Sequence, residues 1–191
     1  MNPPGRPKGE YRSAQHEGTP VNSPRRVLTP RALTAEAFAA FGDVIEASER
    51  ATHYPINAGY AERFDKLARI DTNGEGGHPE LSIFRARPRA LPMRLSLMER
   101  HLMSSQAFMP LAPLRFLVVV AAAGPAPDAD ALHCFMARPG QGVNLARGTW
   151  HHPLLALDEG GDFLVIDRGG PGAADDCEEQ PIERFDLWVQ A

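Results

Sequence analysis

The chain consists of short apolar segments set apart by Pro, Gly and Asp, and it lacks the long 3.6-residue periodicity that crossover helices would need. The segments are Asp43–Glu46, Glu80–Ala86, Met93–His101, Gln106–Met109, Leu114–Ala123, Ala131–Arg138, Trp150–Leu157, Phe163–Arg168 and Arg184–Val189. Short strands joined by turn residues predict a mainly β sandwich or barrel and argue against a parallel βαβ sheet. Leu114 to Val120 is apolar without alternation, which predicts a central strand covered on both faces. Phe185, Leu187 and Val189 alternate with Arg184, Asp186 and Trp188, the pattern of a half-exposed strand. One short helix is expected within Leu33–Phe41, capped by Thr34, with Ala37, Phe38 and Phe41 on one face and Gly42 as the left-handed stop. No internal repeat is found.

With 191 residues the chain can bury one sizeable core, so a single domain over residues 27–191 is expected. Residues 1–26 are rich in Pro, Gly, Ser and basic groups, offer almost nothing to bury, and read as a disordered extension. A formal charge of -4 disfavours nucleic acid and anionic membranes as partners and leaves a small molecule as the expected ligand. Cys134 and Cys177 are too few for a disulfide framework. No apolar run is long enough to span a bilayer and the N-terminus lacks a signal-peptide core, so the expected compartment is the cytoplasm.

The side chains best suited to chemistry cluster in Arg147-Gly148-Thr149-Trp150-His151-His152-Pro153. Neighbours on a strand point to opposite faces, so only one histidine of the pair can look into a given cavity. His151 is assigned that role, and His152 the packing role. His101 and Gln106 lie on another segment, and Asp167-Arg168-Gly169-Gly170 closes a third. Such clusters on separate strands can converge on one site. Asp167 is a candidate for orienting a histidine, with pairing to a local arginine or backbone as its other reading. His16, His53, His78 and His133 read as solvated or structural.

Pro139-Gly140-Gln141-Gly142-Val143-Asn144 followed by Gly148-Thr149-Trp150-His151 has the character of the second cupin motif, a turn leading into a strand that bears a histidine. The first cupin motif is not intact, because Gln106 stands at the glutamate-like place after His101. A more specific resemblance is to the ureidoglycolate lyases of allantoin degradation. It runs through Phe41-Gly42-Asp43-Val44-Ile45, Asn57-Ala58-Gly59 with Glu62-Arg63, Glu99-Arg100-His101, Ser105 to Pro110, Gly140 to Asn144, Trp150 to Leu154 and Asp162 to Gly170.

The resemblance implies a cupin-like double-stranded β-helix barrel, a homodimer, an association with nickel, and cleavage of (S)-ureidoglycolate to glyoxylate and urea. That substrate is a carbinolamide, whose cleavage takes a proton from the hydroxyl and delivers one to the departing nitrogen, work suited to histidines. His101, Gln106, His151 and Asp167 are the expected catalytic residues. His101, Gln106 and His151 would also be the ligands of Ni2+ or another divalent metal, and which histidine acts as acid and which as base stays open. Arg63, Arg147 and Arg168 are the candidates for holding the substrate carboxylate. An amidohydrolase releasing ammonia and a non-catalytic cupin-like sensor are the competing readings.

Overall fold

A computed structural model of the chain describes residues 25–190; of the extension expected over 1–26, residues 1–24 lie outside the described residues. Arg26, placed in that extension by the sequence reading, opens the first strand. In chain order the strands are β1 (Arg26–Leu28), β2 (Arg31–Ala32), β3 (Gly42–Glu46), β4 (Thr52–Ile56), β5 (Ala61–Asp65) and β6 (His78–Ala86). They continue with β7 (Met93–Arg94), β8 (Leu97–His101), β9 (Gln106–Pro110), β10 (Phe116–Ala121), β11 (His133–Ala137) and β12 (Gln141–Leu145). The last are β13 (Trp150–His151), β14 (Leu155–Ala156), β15 (Gly161–Gly169), β16 (Cys177–Pro181) and β17 (Leu187–Val189).

A seven-stranded sheet, ordered β16-β8-β13-β10-β11-β2 with β14 also on β10, faces a five-stranded sheet ordered β3-β12-β9-β15-β6. A three-stranded sheet, β1-β17-β7, covers the other face of the first. The architecture is mainly β and cupin-like, and the expected barrel takes the form of a sandwich whose two main sheets share no ladder.

The central strand β10 explains why its sequence does not alternate. Phe116, Val118 and Val120 enter one core with Phe108, Val143, Phe163 and Val165 from the five-stranded sheet. Leu117, Val119 and Ala121 enter a second core with Met98, Trp150, Leu187 and Val189. Both faces of the strand are therefore dry, and every one of its residues is buried.

Proline and glycine account for most departures from the expected segments. Trp150–Leu157 is two short strands because Pro153 has no N–H to give a ladder. Met93–His101 divides between the three-stranded and seven-stranded sheets. Gln141–Leu145, read as a turn, is a buried strand in which Gly142 sits where a Cβ would come within 2.6 Å of the Phe108 carbonyl oxygen. The helix covers only Ala35–Phe38, with Thr34 Oγ1 accepting from the Ala37 N–H at 3.2 Å. Gly42 does not stop it: at φ 144° it opens β3, where a Cβ would meet the Asn144 carbonyl oxygen at 1.9 Å.

Candidate active site

The register of the seven-stranded sheet assembles the site. His151 on β13 lies opposite Val120 of β10 on one side and Glu99 of β8 on the other. Val120 belongs to the core between the two main sheets, so His151 shares that face, while its neighbour Trp150 enters the second core. Glu99 and His101, two apart on β8, share a face as well. The His101 and His151 rings stack at 5.6 Å with an interplanar angle of 26°.

His151 Nδ1–H donates to the Thr149 carbonyl at 3.0 Å, because a carbonyl can only accept. In the neutral ring Nε2 then carries the lone pair; it lies 3.3 Å from Glu99 Oε1, without the alignment of a hydrogen bond. Ligand atoms of Glu99, His101 and His151 all lie within 4.8 Å of one another. From the facing sheet comes Gln106, 5% exposed, on the same face of β9 as Phe108. Three buried atoms here have no hydrogen-bond partner: His101 Nε2, Gln106 Oε1 and His151 Nε2. Buried polar atoms are rarely left unpaired, and their convergence marks a place for a ligand.

Burial acts on the charges of the cluster in opposite directions. It pushes the Glu99 carboxyl up, but His151, His101 and His152 outweigh it and hold that group below the ordinary range. It pushes His101 down, aided by His151 and opposed by Asp176 and Glu99, so the ring stays neutral at neutral pH. His152 is lowered mainly by burial too, and its Nδ1–H donates to the Pro153 carbonyl at 2.8 Å.

The other expected residues fall in different places. Asp167 lies on the inner face of β15, one step beyond the Ile166–Ala107 pair, so its register position is beside Gln106. Arg63 is on the separate β4–β5 hairpin, ion-paired to Asp65 at 2.8 Å. Arg147 is exposed and donates to the Leu102 carbonyl. Arg168 is 5% exposed and spends its guanidinium on the carbonyls of Thr72, Gly169, Glu75 and Pro171. It fastens the 72–75 loop, and being adjacent to Asp167 it points to the opposite face.

A cavity of about 740 Å³ reaches Glu99 and is lined by Phe84, Phe108 and Leu154 together with Arg85, Arg87 and Arg89. Arg85 forks onto Asp162 at 2.8 and 2.9 Å. Arg87 and Arg89 have no side-chain partner among the described residues. Sequence reasoning missed Glu99 and these arginines. The signal for Glu99 was its spacing of two from His101, which puts a carboxylate where the first cupin histidine would stand.

A sandwich with two imidazoles and a carboxylate converging on one inner face defines a cupin-like site. The ureidoglycolate lyase family matches this chain over residues 25–190. A ureidoglycolate lyase of Burkholderia cepacia is 53% identical over 167 residues, covering 87% of this chain and 89% of that protein. One from Burkholderia mallei is 50% identical, covering 86% and 94%, and one from Pseudomonas syringae pv. tomato is 44% identical, covering 83% and 91%. The chain belongs to the ureidoglycolate lyase family.

Proposed function

We propose that this chain cleaves ureidoglycolate to glyoxylate and urea at the Glu99–His101–Gln106–His151 cluster. The observation that carries the reading is the set of buried, unpartnered atoms there, in a chain of this family. The same set fits a divalent cation, since two imidazole nitrogens, an amide oxygen and a carboxylate suit nickel or its neighbours. Glu99, His101, Gln106 and His151 would hold it, and a bound ion supplies Lewis-acid polarisation of the substrate hydroxyl.

The chain's own groups bind the substrate and move its proton. Glu99, kept ionised by the flanking imidazoles, takes the hydroxyl proton through Oε2, the oxygen turned toward Cys177. As the carbon–oxygen double bond forms, the carbon–nitrogen bond breaks, and the same proton passes to the departing nitrogen. No water is consumed. Urea as the first nitrogen product is the expected result, and ammonia in its place would exclude the lyase reading. Stripping divalent metal and resupplying Ni2+ tests the ion, with undiminished turnover by the stripped protein counting against it.

The substrate carboxylate belongs with Arg87 and Arg89, which line the cavity unpaired, ahead of Arg63, Arg147 and Arg168, whose guanidinium groups are engaged elsewhere. A hydrogen bond to a charged group contributes about 1.5–3 kcal/mol, so Arg89→Ala is expected to raise KM roughly 10- to 100-fold with a smaller change in kcat. An unchanged KM in Arg89→Ala and Arg87→Ala alike would remove them from the pocket.

A second copy of the chain is the partner we propose for the outer face of the five-stranded sheet. Leu81 and Ile83 on the edge strand β6 are 64% and 50% exposed there, opposite Ile166 and Leu164. An apolar face bounded by an open strand edge suits a homodimer. Sedimentation equilibrium giving the mass of one chain would refute it. Among the described residues no helix is long and apolar enough to cross a membrane.

A further inference from the structure

We propose that Asp176, in the turn before β16, is a positioning residue: its carboxylate fixes the tautomer of His101 so that the lone pair of Nε2 points to the place on which the ligand atoms of Glu99, Gln106 and His151 also converge. Asp176 is 3% exposed, a burial unusual for a carboxylate without a dedicated role. It is clamped in place on three sides. The Met103 N–H donates to Oδ1, the Ser104 hydroxyl donates to Oδ2 at 2.6 Å, and the Leu102 N–H donates to the Asp176 carbonyl at 3.1 Å. All three donors belong to the segment that follows His101 directly.

This clamp leaves Oδ2 facing His101 Nδ1 at 3.8 Å. The distance exceeds that of a hydrogen bond, so the influence is one of charge. A neutral imidazole carries a single N–H; Asp176 draws on it more strongly than Glu99 or the Gln106 oxygen, and does so from the Nδ1 side, which favours placing it there. The lone pair is then left on Nε2, the buried atom that has no partner. His151 reaches the same tautomer by another device, the Thr149 carbonyl on its Nδ1. The two rings therefore offer matching nitrogens to one point, by a charge in one case and a hydrogen bond in the other. Asp167, the acid singled out in the sequence for orienting a histidine, sits on the opposite sheet beside Gln106.

The inference rests on the cluster being the reacting site, and its test separates the two claims. Ring-nitrogen chemical shifts of His101 in the metal-free protein report the tautomer without any turnover. In the unaltered chain the proton is expected on Nδ1; finding it on Nε2 overturns the proposal, whatever the variants do. Asp176→Asn keeps the shape and most of the clamp but removes the charge and turns an N–H toward His101. It is expected to shift the proton toward Nε2 and to weaken Ni2+ binding 10- to 100-fold, with the melting temperature nearly unchanged. Ser104→Ala, which leaves the charge in place, is expected to retain both the tautomer and the Ni2+ affinity. An Asp176→Asn protein with the original tautomer and affinity would reduce Asp176 to a loop tie. A changed tautomer in a protein that releases no urea would leave this inference standing and reject the lyase.

Discussion

Glu99→Gln is expected to lower kcat for urea release by roughly 10²- to 10⁴-fold, the range for loss of a well-placed proton acceptor, while the protein remains folded. The substitution is nearly isosteric, and Glu99 is on the edge of the cavity rather than within either core. What it removes is the carboxylate of the Glu99–His101–His151 group, and with it the negative charge and the proton acceptor of that group. His151→Ala and His101→Ala are expected to fall in the same range. Gln106→Ala, which deletes a neutral oxygen, is expected to fall less. Initial rates of urea formation, read beside thermal melts by circular dichroism, check the series. A Glu99→Gln protein with unimpaired kcat would take Glu99 out of the chemistry and return the proton to one of the rings.

The ease of finding each residue from the sequence followed from how local its signal was. The apolar run in β10 announced a strand buried on both faces, because no alternation is needed where both faces are dry. The β12 strand stayed hidden since Gly142, required by the close approach of β9, reads locally as a turn. The β4–β5 hairpin was equally masked by His53, Pro55 and Glu62, polar or strand-breaking residues on a two-stranded sheet. His101, Gln106 and His151 stood in recognisable motifs. Glu99 had one local signal, its spacing of two from His101, but its place opposite His151 depended on the pairing of β8 with β13, a non-local fact. The arginines were harder still: Arg87 and Arg89 lie just past the end of β6 and meet the site only through the cavity. Arg168, by contrast, was kept as a carboxylate candidate beside Asp167, although strand parity counted against naming both. Adjacent strand residues cannot both face the centre, so accepting Asp167 on the inner face already sent Arg168 outward.

The same parity predicts a clean division of effects at β13. Trp150→Ala is expected to destabilise the fold by about 3–5 kcal/mol, the usual loss for deleting a buried aromatic side chain. Trp150 is 0% exposed in the core under the three-stranded sheet, its indole N–H donates to the Gly124 carbonyl at 3.0 Å, and the Arg100 guanidinium lies 4.4 Å from its ring centroid. For a chain of this size that loss corresponds to a fall in Tm on the order of 10 °C. His151→Ala, one residue on, should leave Tm within a few degrees, because His151 Nε2 is unpartnered and the ring touches the site rather than that core. Losing the desolvated Nε2 offsets part of what the ring's packing on His101 and its Nδ1–H bond to the Thr149 carbonyl contribute. Trp150→Phe, which keeps an aromatic body but not the indole N–H, should recover most of the stability. Melts and rates measured on the same three proteins decide the matter: if Trp150→Ala lost turnover with its melting temperature intact, or His151→Ala lost stability with turnover intact, the two side chains would have been assigned to the wrong faces of the strand.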